Sequence, residues 1–173
     1  FGAPQVKIKV SYDREFVELL SQETEAREIP AGTLGERDKR LDHGTMIPLW
    51  FLDHYYKDYQ VVRIGLSGLP LSMHYTVGQC IKTVSGLLGR RTAIIASGDL
   101  SHKLKEDGPY GFQAEGPQYD SRIMDVMGRG DFGELFDFSE EFCSKAAECG
   151  HRSFVIMAGA LDRLKVKSEK LSY

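Results

Sequence analysis

Short apolar runs alternate along this chain with stretches of helical period, and that alternation restricts the fold more than any other feature. Val6, Ile8, Val10 and Tyr12 fall on one face and Lys7, Lys9 and Ser11 on the other, the period of a half-buried strand near a sheet edge. Asp13 is placed to cap a helix in which Phe16, Leu19, Leu20 and Thr24 share a face. Ile29 to Arg40 is polar and glycine-bearing and reads as a connecting loop. Thr45 is a candidate cap for a helix over Met46 to Tyr56, with Pro48 tolerated in the first turn. Val61 to Leu66 is a buried-strand candidate, broken by Ser67-Gly68-Leu69-Pro70. Ser72 then opens a helix to about Leu88, stopped by Gly89. Thr92 to Ala96 is a second buried-strand candidate, followed by a long loop from Ser97 to Pro117. Three shorter helices are expected near Tyr119 to Met127, Phe132 to Phe136 and Glu140 to Ala147, the last capped by Ser139. Ser153 to Leu161 is apolar throughout and is read as helix in preference to strand. The predicted class is α/β, with a mostly parallel central sheet flanked by helices in a single domain.

Composition narrows the partners. A formal charge of −3 and a pI of about 6.0 give no basic surface for nucleic acid or an anionic membrane. The longest apolar stretch, Phe154 to Leu161, falls far short of the roughly 18 residues needed to span a bilayer. No signal-peptide pattern is present, and a strand follows Phe1 almost at once, so the chain is expected to begin inside a domain. Cys80, Cys143 and Cys149 are odd in number, irregularly spaced and without a CxxC pair, which predicts reduced thiols and a cytoplasmic location.

Three stretches can carry chemistry. Ser97-Gly98-Asp99-Leu100-Ser101-His102 follows an expected strand, at the end of an open α/β sheet where ligands bind. His102 is a candidate general acid or base there, because an imidazole exchanges protons near neutrality; a loop histidine bound to backbone is the plainer alternative. In Leu41-Asp42-His43-Gly44-Thr45, Gly44 permits a tight turn before a helix, and His43 near a helix N-terminus can donate a hydrogen bond to a bound oxygen. Asp42 and His43 can equally serve only to build that turn. In Glu148-Cys149-Gly150 a carboxylate stands beside a thiol, Glu148 suiting harder iron and Cys149 softer copper or zinc. A solvated Glu and a small buried Cys fit that stretch as well. Tyr110 is a candidate pocket wall, and His151, beside Arg152, is a candidate contact for a substrate carboxylate, although a surface role fits it too. His54 lies on an expected solvated helix face, and His74 in the first turn of a helix.

DHGTMIPL (Asp42 to Leu49), ASGDLSHKL (Ala96 to Leu104), GPYGF with EGPQYD (Gly108 to Asp120) and ECGHRSFVIMAGALD (Glu148 to Asp162) together resemble the class III extradiol ring-cleavage dioxygenases. The likeness is to the protocatechuate 4,5-dioxygenase beta-subunit, LigB-like type, in the branch associated with the AmmeMemoRadiSam system, and it runs over nearly the whole chain. The resemblance implies Fe(2+) in a two-histidine, one-carboxylate triad, and a catechol-like aromatic substrate cleaved with O2. It implies that His102 is the acid/base residue and that His43 contacts bound oxygen or a substrate hydroxyl; Asp99, Tyr110 and His151 are the expected substrate-binding residues. Glu148 is then the carboxylate ligand, with Cys149 as its rival, since related Memo proteins carry a cysteine nearby. The family's two iron-binding histidines are expected upstream of Phe1, so residues 1–173 read as the C-terminal two-thirds of the catalytic domain, with one carboxylate alone left to hold the metal. A homo-oligomer is compatible with the resemblance. The competing expectation is a non-catalytic metal-binding or adaptor protein of the Memo type, which shares a fold without sharing a reaction.

Overall fold

The structure is a computed structural model that describes residue 5, residues 7–33 and residues 40–173. Val6 of the expected first strand and residues 34–39 of the expected loop lie outside the described residues. The chain divides into two compact units, the first reaching to Gly65 and adding Thr83–Ile95, the second comprising Leu66–Lys82 and Ala96–Tyr173.

In the first unit, β1 (Ser11–Tyr12) pairs in parallel with β2 (Gln60–Val61), Ser11 opposite Gln60 and Tyr12 opposite Val61. The Asp13 amide extends the ladder to the Val61 carbonyl at 3.2 Å. Helix α1 (Arg14–Glu25) starts as expected, since the Asp13 carboxylate accepts from the Phe16 amide at 3.0 Å. Arg90 grips the other Asp13 oxygen at 2.9 Å. Helix α2 (His43–Leu52) departs from expectation, because its cap is Asp42 and not Thr45: Asp42 accepts from the Thr45 amide at 2.9 Å. The earlier start puts Pro48 inside the helix and beyond the first turn, where its missing N–H leaves one rung of the ladder unmade.

Two expected buried strands are not realised as such. Of Val61 to Leu66 only Val61 joins a ladder, and Ile64 and Leu66 are exposed. Thr92 to Ala96 carries no ladder among the described residues, and Ile95 is more than half exposed. An apolar run states a preference for burial, but burial needs neighbours on both faces, and those are tertiary. The class remains α/β, helix-rich with a small parallel sheet.

Helix α3 (Leu71–Leu87) supplies residues to each unit and ends at Gly89, whose φ of +62° favours glycine. The second unit holds α4 (Glu115–Arg129), a 3₁₀ helix (Phe132–Asp137), α5 (Glu140–Ala146) and α6 (His151–Ala160). Its core joins Tyr119, Ile123 and Val126 of α4 to Leu135, Phe138 and Ala146, and to Phe154, Val155 and Ala158 of α6. The α4 positions recur at intervals of four and three residues, the stripe of a helix with one buried face. Helix α6 confirms the helical reading of Ser153 to Leu161, and Ser139 caps α5 by accepting from the Phe142 amide at 3.2 Å.

Candidate functional site

Two loops of the second unit are zipped together. Gly98 approaches the Gly150 backbone so closely that a Cβ on Gly98 would lie 2.2 Å from the Gly150 Cα. A Cβ on Gly150 would meet the Phe154 ring at 2.7 Å. At Gly98 the obstacle is backbone, so only glycine fits there, whereas at Gly150 it is a ring. Three bonds then lock the crossing: the Cys149 amide donates to the Asp99 carbonyl at 3.2 Å, the Asp99 amide to Cys149 Sγ at 3.1 Å, and Ser153 Oγ to the Ser97 carbonyl at 2.9 Å.

The crossing gathers Asp99, His102 and Cys149, whose ligand atoms all lie within 4.8 Å of one another. His102 Nδ1 is held by the Ala147 carbonyl, and Nε2 lies 3.1 Å from Asp99 Oδ2. Ala147 ends α5 in the left-handed region, at φ 52° and ψ 48°. Tyr110 stacks on the His102 ring at 5.0 Å between centroids. Both ring nitrogens of His102 therefore face acceptors. A neutral imidazole can donate to only one of them. The His102–Asp99 pair can pass a proton to and from a bound hydroxyl, and a carboxylate, an imidazole and a thiol can hold a divalent transition metal.

The remaining predicted residues fall elsewhere. Glu148 stands outside this cluster: its Oε2 accepts from the His151 amide at 2.6 Å, satisfying an otherwise unpaired donor in the first turn of α6. His151 is not at the surface but 2% exposed. The Leu135 carbonyl accepts from its Nε2 at 2.9 Å, and the Tyr119 hydroxyl lies 3.2 Å from Nδ1. Burial holds the pKa of His151 below the ordinary imidazole value. Burial likewise pushes the neighbouring Cys143 thiol up to about 12. His43 is the first residue of α2, in the first unit, and is exposed. The Asp42 beside it is held below the usual carboxylate range, first by the Thr45 hydroxyl and amide. His54 is exposed and contacts the Trp50 carbonyl, in keeping with a solvated face.

Sequence reasoning missed His74 as a structural anchor. It is buried, contacts the Pro70 carbonyl through Nδ1 at 3.1 Å, and accepts from the Ser67 amide at 3.5 Å through Nε2. These bonds hold the Ser67–Pro70 turn, which with Glu148, Cys149 and Arg152 lines a cleft of about 340 Å³ beside the cluster. The one local signal was His74 standing four residues after a proline, one helical turn from the Pro70 carbonyl.

No helix among the described residues is long and apolar enough to cross a membrane. Protein CA_C1420 of Clostridium acetobutylicum is 33% identical over 181 residues, covering all of this chain and 38% of that relative. The chain thus spans well under half the length of the curated relative it matches. The family model for the catalytic LigB subunit of aromatic ring-opening dioxygenase matches residues 1–173, and the chain belongs to that family.

Proposed function

We propose that this chain carries the acid/base residue and part of the metal site of a ring-opening dioxygenase acting on a catechol-like ring with O2. The observation that carries the reading is the His102–Asp99 contact beside Cys149, in a family of ring-opening dioxygenases. His102 is the proton carrier. Its Nδ1 is occupied by the Ala147 carbonyl, so the exchangeable position is Nε2, the atom that faces Asp99. A proton leaving a catechol hydroxyl is received at Nε2, with Asp99 stabilising the resulting imidazolium, and is returned from the same atom as the ring opens. Tyr110, stacked on the imidazole, restricts its rotation and gives an aromatic wall for the substrate.

The donor chemistry fits a divalent transition metal. Asp99 supplies a hard oxygen suited to Fe(2+), and Cys149 a softer sulfur. Glu148, the expected ligand, is engaged at the start of α6, which favours Cys149 as the donor from that stretch. Fe(2+), when bound, supplies the route for electron density between ring and O2 that the reaction requires. His43 remains our candidate for the group that contacts substrate oxygen.

Oxygen uptake by iron-loaded protein with a panel of catechols tests this reading. Replacing His102 by Ala should lower kcat roughly 100- to 10,000-fold, the usual contribution of a positioned acid/base group. Uptake that is unchanged in His102→Ala would remove His102 from the mechanism. The Asp99–His102–Cys149 set also favours a second reading, a Memo-type metal-binding protein without ring cleavage. Tight metal binding with no consumption of any catechol would select it.

A further inference from the structure

Asp120 is an unexpected member of the second unit's interior. It lies on α4 and is only 2% exposed. A buried carboxylate is costly unless donors meet its oxygens. Here Oδ1 accepts from the Ser101 amide at 2.8 Å, and Oδ2 from the Tyr173 hydroxyl at 2.7 Å. Ser101 directly precedes His102. Its own hydroxyl donates to the Ala146 carbonyl at 2.8 Å and accepts from the Lys103 amide at 3.0 Å. The backbone on both sides of His102 is thereby tied down, and the ring is tied by Ala147, next to Ala146. One turn before Asp120, Gly116 lets α4 come this near: a Cβ there would lie 2.5 Å from the Lys103 carbonyl oxygen and 2.7 Å from Ser101 Oγ.

We propose that Asp120 is the positioning residue for His102, holding it through the Ser101 amide, and that Tyr173 completes the carboxylate's set of donors. A charge-assisted bond to a backbone amide is short and directional, so it fixes where the next residue's side chain begins. Asp120 touches no reacting group; it sets the pose of one that does. The importance of that pose for ring opening rests on the reading of His102 given above, whereas the clamp itself does not.

Two readouts on the metal-free full chain test the clamp: amide exchange at Ser101, and the ring nitrogen signals of His102, assigned by their loss in His102→Gln. The wild-type ring should show one tautomer, protonated at Nδ1. Asp120→Ala should speed Ser101 exchange roughly tenfold to hundredfold, as for loss of a hydrogen bond to a charged group, and mix the His102 tautomers. Asp120→Asn keeps an oxygen for the Ser101 amide and should restore the wild-type pattern. Tyr173→Phe leaves Asp120 in place and should speed Ser101 exchange severalfold, with α6 amides unchanged; it serves as the deciding variant if Asp120→Ala does not fold. Unchanged Ser101 exchange in Tyr173→Phe, or equal acceleration of all core amides, would overturn the proposal. Absence of ring opening by the iron-loaded wild type would instead overturn the role given to His102 and leave the clamp standing.

Discussion

Helices α2 (His43–Leu52) and α6 (His151–Ala160) are equally long and both apolar, yet their surroundings are opposite. Most residues of α6 are buried, including Phe154, Val155, Ile156 and Ala158. Helix α2 buries Leu49, while Ile47, Trp50 and Phe51 stay 48%, 45% and 64% exposed. Apolar content all round a helix usually signals burial, and here it does so in one case of two. The difference lies in side-chain size and in the partner. Helix α6 ends in Ala158, Gly159 and Ala160, and Gly159 meets α3 at Gly78 with almost no space between backbones: a Cβ on Gly159 would lie 2.0 Å from the Tyr75 carbonyl oxygen. Helix α2 carries large side chains and an internal proline. The titratable groups follow suit. Burial lowers the pKa of His151 inside the core, and cap bonds lower that of Asp42 at the rim.

The largest effect should come from closing the α6 seam. Gly159→Ala sets a methyl against backbone that cannot swing aside, and should cost about 3 kcal/mol or more in denaturant unfolding. A loss below about 1 kcal/mol would mean that the seam is looser than its geometry implies.

Acidification should separate the two helices next. His151 has a lowered pKa because burial disfavours its charged form, so the unfolded chain takes up a proton that the fold refuses. Its contribution is complete above the unfolded value of about 6.5 and declines as pH falls below it. Asp42 has the opposite character, a carboxyl lowered by bonds to its charged form. Its contribution is complete above about 3.9 and is lost only as pH falls through the lower folded value. Protection factors, which correct for the intrinsic slowing of exchange in acid, should therefore fall in α6 between about pH 6.5 and 4.5 and hold at the start of α2. Equal behaviour of both helices across that window would erase the distinction.

Smaller effects test α2 directly. Asp42→Ala removes the cap and should cost about 1 kcal/mol, seen as loss of protection at Thr45 with α6 unaffected. Phe51→Gln, at an exposed position, should change stability by no more than about 0.5 kcal/mol. A larger loss would show that this face of α2 is covered in solution.

Much of the local structure was legible because its causes are local. Asp13, Ser139 and Gly89 each act within four residues, and each starts or stops a helix as expected. Thr45 was mistaken for the α2 cap because Asp42 and Thr45 are both capping types, and the choice depended on which side chain met which amide. The strands over Val61 to Leu66 and Thr92 to Ala96 failed as buried strands because an apolar run does not contain its own neighbours. The site was legible as motifs. SGDLSH and ECG were singled out, as was EGPQYD, although its Asp120 was not. Their pairing was not legible. Asp99 and Cys149 stand fifty residues apart, and nothing in either stretch says that Cys149, and not Glu148, closes the cluster.

The sequence by itself determined the caps of α1 and α5, the buried faces of their neighbours and the family, since these depend on residue types at short, fixed spacings. Tertiary structure alone decided that Asp99, His102 and Cys149 meet, that Glu148 turns to the α6 backbone, and that His151 is sealed in the core. The physical reason is the backbone crossing of Gly98 over Gly150: the absent side chain at Gly98 allows distant loops to touch, and that approach, which no local period encodes, selects the groups that share a site.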